Sequence, residues 1–314
     1  MLPTVPPLPA APVVVLAGGT GGAKLARGVL DVAGDDLVVI ANTGDDVAIH
    51  GAHVSPDPDL VGFWLADRID ARGWGLDGDT FVVMDALRAL GADVWFNLGD
   101  RDLAIGIDRA RRLAEGERLT AVLEALTVAL GLRARVLPMS DDPVRTFVTT
   151  AERRWPFQEF MIRAGGNAGE ADVRDVEFHG AGRAATPPEV EEVLRRARAV
   201  IIGPSNPIIS IGPILAVPGM REALRAAPAP VIGVSPLVGG RAVKGPTEAF
   251  LAWAGHDRTA DGIAAAYDGL LDGLVCDEAC EALPSLRTDT DLSTPESRRR
   301  VAEETLRFAE ALAA

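Results

Sequence analysis

"VVVLAGGTGGAKLARGVL" spans Val13 to Leu30. An apolar, β-branched run leads into four crowded glycines, Gly18, Gly19, Gly21 and Gly22, and then into a helical pattern starting near Ala23. Strand, glycine loop and helix start, in that order, bring backbone amides and the positive end of a helix dipole to one point, which suits a phosphate. Glycine serves there because it accepts backbone conformations that other residues resist. Two nucleotide loops nearly fit. As a Walker A loop counted from Gly18, the stretch has Ala23 where the second glycine belongs and Leu25 where Ser or Thr belongs. As a dinucleotide fingerprint counted from Gly19, it has Lys24 in place of the last glycine. The loop therefore reads as a phosphate cradle of a third kind.

Working outward, short apolar runs at 13–17, 37–42, 93–99, 134–140, 199–205 and 229–236 read as strands buried on both faces. Segments 57–73, 81–91, 118–131, 187–199 and 295–314 read as helices, the last with a start signal at Thr294 and Pro295. The alternation predicts an α/β, Rossmann-like, doubly wound and mostly parallel sheet with a helix-rich insertion. The expected organisation is a disordered proline-rich tail over 1–11 and a single catalytic α/β domain over 12–314, with a helix-rich lobe at about 60–195. Ligands of such sheets bind outside the carboxyl ends of the strands. The residues that follow the expected strands are "GGTGG", "TGDD", "DRD", "DDP", "NP" and "LVGG", so polar and acidic loops converge on one edge.

The chain has 314 residues and a net charge of −14, which argues against a nucleic-acid partner. No uncharged apolar run reaches the roughly 18 residues of a membrane span, and the first residues lack the positive region of a signal peptide. Cys276 and Cys280 are too few for a disulfide framework or a structural zinc site; their spacing fits one helix face and suggests reduced thiols in a cytoplasmic protein. In so acidic a chain, attraction for a phosphate ester must come from helix N-termini, a divalent cation and a few placed bases. Only two of the 31 basic residues are lysines, Lys24 and Lys244, and both adjoin glycine-rich loops.

Asp45, Asp46, Asp57 and Asp59 follow the second strand and offer oxygen ligands for Mg²⁺, or else serve as turn aspartates. His50 and His53 have no cysteine or third histidine nearby, which argues against zinc. Asn97, Asp100, Arg101 and Asp102 either orient a polar ligand or pair with one another, and Ser140, Asp141 and Asp142 pose the same question. Ser205 and Asn206 either cap a helix or bind a base or phosphate. Ser235, Gly239 and Gly240 lie in a second glycine-rich loop.

"GGTGGAKL", "NTGDD", "SPDPD", "LGDRD", "LPMSDDPV", "IIGPSNPIISIGPIL" and "VSPLVGG", in this order, make the chain resemble the 2-phospho-L-lactate transferase (CofD-type) family of coenzyme factor 420 biosynthesis. The resemblance implies an Mg²⁺-dependent phosphotransferase for substituted phosphate groups, Rossmann-like and commonly a homodimer. Its reaction moves a phospho-three-carbon-acid group, of 2-phospho-L-lactate, phosphoenolpyruvate or 3-phosphoglycerate type, from a guanosine diphosphate ester to the ribityl hydroxyl of the deazaflavin Fo, and GMP leaves. Carried onto this sequence, Gly18, Gly19, Thr20, Gly21, Gly22 and Lys24 cradle phosphates. Ser205, Asn206, Ser235, Gly239 and Gly240 hold the nucleotide, and Asp59 and Asn97 contact Fo. Asp45, Asp46 and Asp57 are the metal candidates, and one of them accepts the hydroxyl proton. A related branch binds nucleotide sugars and regulates metabolism; the clustered aspartates favour the transferase. A dehydrogenase is disfavoured by the failed fingerprint and by the lack of an acid at the tip of "LVVIAN".

Overall fold

A computed structural model describes residues 5–164, 172–242 and 245–314; Lys244 lies outside them. Seven strands form the central sheet: β1 Val13–Ala17, β2 Leu37–Ala41, β3 Arg135–Pro138, β4 Ala199–Ile202, β5 Val231–Val234, β6 Gly273–Cys276 and β7 Ser285–Arg287. Their spatial order is β7-β6-β5-β4-β1-β2-β3, and every neighbouring pair is parallel. The fold is α/β and doubly wound, as the strand pattern predicts. Strand order reverses between β1 and β4, so the chain diverges there and leaves a crevice at their carboxyl ends.

Side chains alternate across the sheet. Val14 and Leu16 enter one core with Val38, Ile40, Val193 and Ile214, while Val13, Val15 and Ala17 enter the other with Leu25, Val61 and Val301. The second core is roofed by helix α1 (Gly19–Ala33), helix α2 (Pro56–Leu65) and the C-terminal helix Pro295–Ala313. Thr294 caps that last helix with a reciprocal Ser297 bond, as its start signal predicts.

Helix α1 begins at Gly19, four residues before the expected start near Ala23. The glycines are its first turn, and they allow close packing: a Cβ on Gly21 would stand 2.0 Å from the Pro204 carbonyl oxygen, and one on Gly18 2.7 Å from that of Ser210. Other elements also differ from the sequence reading, which has no strand at β6 or β7 and carries the helix at 57–73 past its end at Leu65. Residues 93–97 are irregular; Val94 and Phe96 pack against a small cluster with Met84, Leu98 and Leu103 instead of pairing with a strand. Cys276 ends β6, so the two cysteines do not share a helix face; both are free thiols. A hairpin pairs Val47–Ile49 with Ala52–Val54, turned by His50 and Gly51 at φ of 51° and 78°. Residues 145–149, 154–156 and 175–179 form a separate antiparallel sheet.

Between β2 and β3 the chain adds, besides the hairpin and α2, helices α3 (Val82–Ala89), α4 (Asp100–Ala114) and α5 (Leu119–Ala129). Near the start of the chain, Leu8 packs on the first core and the Pro6 carbonyl accepts from Arg135 at 3.0 Å.

A Cβ on Gly28 would stand 2.3 Å from the Arg298 carbonyl oxygen, where α1 meets the C-terminal helix. Gly28→Ala should therefore lower stability by about 1–3 kcal/mol despite alanine's better helix propensity. Urea unfolding would read this as a lower midpoint, and an unchanged or higher midpoint would contradict the packing described.

Candidate active site

The carboxyl edge of the sheet opens into a cavity of about 830 Å³. Gly18, Gly19, Thr20, Gly21 and Lys24 line it after β1, Asp45, Asp57 and Asp59 after β2, Ser205 and Asn206 after β4, and Ser235 after β5. Asn97 and Asp102 close one side. Gly22, Asp46, Gly239 and Gly240 are not on the wall. Gly22 is pressed against Ala17 and Ser205. Gly239 and Gly240 turn a two-residue hairpin at φ of 59° and 70°, and the Gly239 amide donates to Asp277 at 2.5 Å.

Asp57 organises the floor. Its Oδ1 accepts from the Gly19 amide at 2.7 Å and its Oδ2 from Asn42 Nδ2 at 2.9 Å. Asn42 Oδ1 in turn accepts from the Gly44 amide at 2.7 Å, shaping the turn that presents Asp45 and Asp46. Burial pushes the Asp57 carboxyl up to about 6, against the pull of its two hydrogen bonds. Burial and the nearby Asp57 hold the Asp45 carboxyl well above its ordinary value. Asp46 Oδ2 accepts from Ser55 Oγ and faces His53 Nε2, each at 2.8 Å.

Asp45 Oδ1 and Asp46 Oδ1 are buried without a hydrogen-bond partner. Buried carboxylate oxygens left in that state are costly, and a hard divalent cation would satisfy them. Among the described residues no three His, Cys, Asp or Glu side chains are grouped closely enough to hold an ion unaided. Two carboxylates so placed would need substrate phosphates and water to complete the shell of a hard cation.

Asp59 lies on α2, and both its oxygens are taken by the Arg109 guanidinium, one at 3.0 Å. Burial still raises the Asp59 carboxyl, although Arg109 opposes it. Arg109 comes from α4, is 1% exposed, and also donates to the His53 carbonyl at 2.9 Å. Nothing in the sequence reading singles it out. Its signal is a three-residue spacing with Leu103 and Gly106, the other buried positions of α4. Asp102 stands nearby; burial first, then the Asp59 charge, pushes it up to about 7. The far wall is aromatic, with Trp64, Trp74, Phe81, Trp95, Phe96 and Phe157.

Several acidic candidates hold the scaffold. Asp100 accepts from the Val82 and Val83 amides at 3.1 and 3.0 Å and so caps α3. Arg101 bonds the Asp77 carbonyl at 3.4 Å, and its amide donates to Asp79 at 2.9 Å. Asp141 caps α5 through the Thr120 amide at 2.7 Å, Asp142 accepts from the Ala185 amide at 3.0 Å, and Ser140 Oγ donates to the Ala185 carbonyl at 2.8 Å. Asn206 Oδ1 accepts from the Ile208 and Ile209 amides at 2.9 and 3.2 Å, while its Nδ2 and Ser205 Oγ are buried without partners beside the cavity.

Because the folded-state affinity of Asp102 for a proton exceeds the unfolded one, its ionisation destabilises the fold as pH rises from about 4 through about 7. Asp102→Asn should melt higher than the wild type at pH 8, with the difference gone by pH 4. A variant that melts lower at pH 8 would contradict the buried carboxyl described.

The family model for 2-phospho-L-lactate transferase CofD matches residues 13–306. A 2-phospho-L-lactate transferase of Methanosarcina mazei is 38% identical over 301 residues, covering 92% of this chain and 98% of that protein. A phosphoenolpyruvate transferase of Kitasatospora aureofaciens is 39% identical over 313 residues, covering 92% and 97%. A solved member of the UPF0052 family from Bacillus halodurans shares the fold, with a TM-score of 0.56 at 14% identity over 94% of this chain and 99% of that one. No described helix is long and apolar enough to cross a membrane. With the match running from β1 into the C-terminal helix, the chain belongs to the 2-phospho-L-lactate transferase (CofD) family.

Proposed function

We propose that the chain transfers a phospho-three-carbon-acid group from a guanosine diphosphate ester to the ribityl hydroxyl of Fo. The observation that carries this reading is one cavity with an amide-rich helix start, the unpartnered carboxylate oxygen of Asp45 in its lining and an aromatic wall. The Gly18–Gly22 turn receives the diphosphate. Ser205 and Asn206 offer a hydroxyl and an amide that lack partners in the fold, matching the polar groups of a guanosine nucleotide. The aromatic wall suits the flat deazaflavin, and Asp59, fixed by Arg109, and Asn97 stand beside it.

In the transfer, the ribityl oxygen forms a bond to the β-phosphorus. The bond from that phosphorus to the oxygen bridging to the α-phosphate breaks, and its electron pair leaves with GMP. The hydroxyl proton passes to a carboxylate of the Asp45, Asp46 and Asp57 group. Asp45 and Asp46, with Asp57 beside them, would hold Mg²⁺, which supplies charge neutralisation for the diphosphate when bound. Asn42 and the Gly19 amide keep the Asp57 carboxylate oriented. The aromatic wall keeps water from competing with the hydroxyl.

The test mixes protein, Mg²⁺ and Fo with the guanosine diphosphate esters of lactate, enolpyruvate and glycerate in turn, and follows GMP. GMP together with a phospho-acid adduct of Fo is expected; no GMP with any ester would overturn the reading. Asp45→Asn combined with Asp46→Asn should cut Mg²⁺-dependent turnover by at least about 100-fold without lowering the melting temperature. Unchanged turnover would remove both residues from the metal site.

A further inference from the structure

Two cationic side chains line the cavity among the described residues, Lys24 and Arg72. Arg72 is committed to Asp70 at 2.6 Å. Lys24 makes no hydrogen bond or ion pair with a described residue; its ammonium is held 5.7 Å from the centre of the Trp64 ring. The Arg298 guanidinium stands 5.1 Å from the same ring. Arg298 also lacks a carboxylate partner and reaches only the Leu292 and Ser293 carbonyls, each at 3.4 Å. Elsewhere this acidic protein pairs its arginines tightly, as in Arg27 with Asp31 and Asp67, or Arg109 with Asp59. Two cations on one indole, neither in an ion pair with a described residue, put Lys24 on the cavity wall with Arg298 behind it, and Asp291 is the nearby lining carboxylate that offsets part of their charge.

Its position separates it from the phosphate cradle. Helices α1 and α2 run side by side in one direction, since Gly19 meets Asp57 near their starts and Arg27, midway along α1, meets Asp67 just past the end of α2. Lys24 and Trp64 meet between these two points. From Gly19 to Lys24 the helix rises about 7.5 Å. A donor with anionic groups at both ends of that interval would satisfy both sites. In the three-carbon ester only the ester oxygen and one carbon separate the β-phosphorus of 2-phospholactate from its carboxylate, and the long, flexible Lys24 side chain covers the remaining distance.

We infer that Lys24, resting on Trp64 and backed by the charge of Arg298, binds the carboxylate of the transferred acid and so selects acidic esters over neutral ones. The inference rests on the transferase reading above. Lys24 is the contact residue; Arg298 is a positioning residue that adds positive potential and tethers the segment carrying Leu292 and Ser293.

The experiment compares two donors, the guanosine diphosphate esters of lactate and of lactamide, with wild type, Lys24→Met and Lys24→Arg, each checked for an unchanged melting temperature. Calorimetric titration with GDP accompanies the kinetics. The wild type should prefer the lactate ester by at least about 30-fold in kcat/KM. Lys24→Met should lose most of that preference, through a rise in KM for the lactate ester, and Lys24→Arg should restore part of it. Equal losses for both donors, with weakened GDP binding, would reassign Lys24 to the phosphates and overturn the inference. An unchanged preference would also overturn it and leave Lys24 as a packing partner of Trp64. If the wild type binds GDP but turns over neither ester, it is the transferase reading that fails.

Discussion

A single buried carboxylate joins the parts of this site. Asp57 accepts one hydrogen bond from the first amide of α1 and another from Asn42, just past β2. Through the first bond it fixes the helix start against α2; through the second it fixes the turn carrying Asp45 and Asp46. The helix dipole favours a negative group at that position, yet burial works against its charge. The same carboxylate thus serves structure when bonded to the scaffold and contributes negative charge where Mg²⁺ is proposed. Removing it would disturb the amide cradle and the acidic turn together.

The sequence was most legible where one physical demand dominated. Strands β1, β2, β4 and β5 are buried along their whole length, so continuous apolar runs announce them. The run at 93–97 has the same character but no strand to pair with, and its apolar residues fill a local cluster instead. Strand β7 lies at the sheet edge with two of its three residues exposed, so it carries no apolar signature. The sequence reads the glycine loop as a place where amides approach an anion; the close approach that the fold itself makes there is to Pro204 and Ser210, beside the cavity.

Acidic residues were harder to sort, because the same side chain suits a helix cap and a metal. Asp100 and Asp141 cap helices, whereas Asp45 keeps an oxygen unpartnered. Sequence spacing does not carry that difference; it depends on which amides the fold brings near. Arg109 was hidden for the same reason. It sits in α4, where the sequence reading places no helix, and its burial follows from Gly106, where a Cβ would stand 3.2 Å from the His53 carbonyl oxygen.

The contact of Gly28 with Arg298 also bears on how the protein is made. The cavity takes its first wall from Gly18 and its last from Ser293, so nearly the whole chain must be synthesised before the site can close. Until then α1 has an apolar face without its final partner, and β1 has no β4 beside it until Ala199–Ile202 has been made. Pairings over such sequence distances fold slowly and leave intermediates with exposed strand edges. The ligand cavity is therefore among the last features of the chain to close.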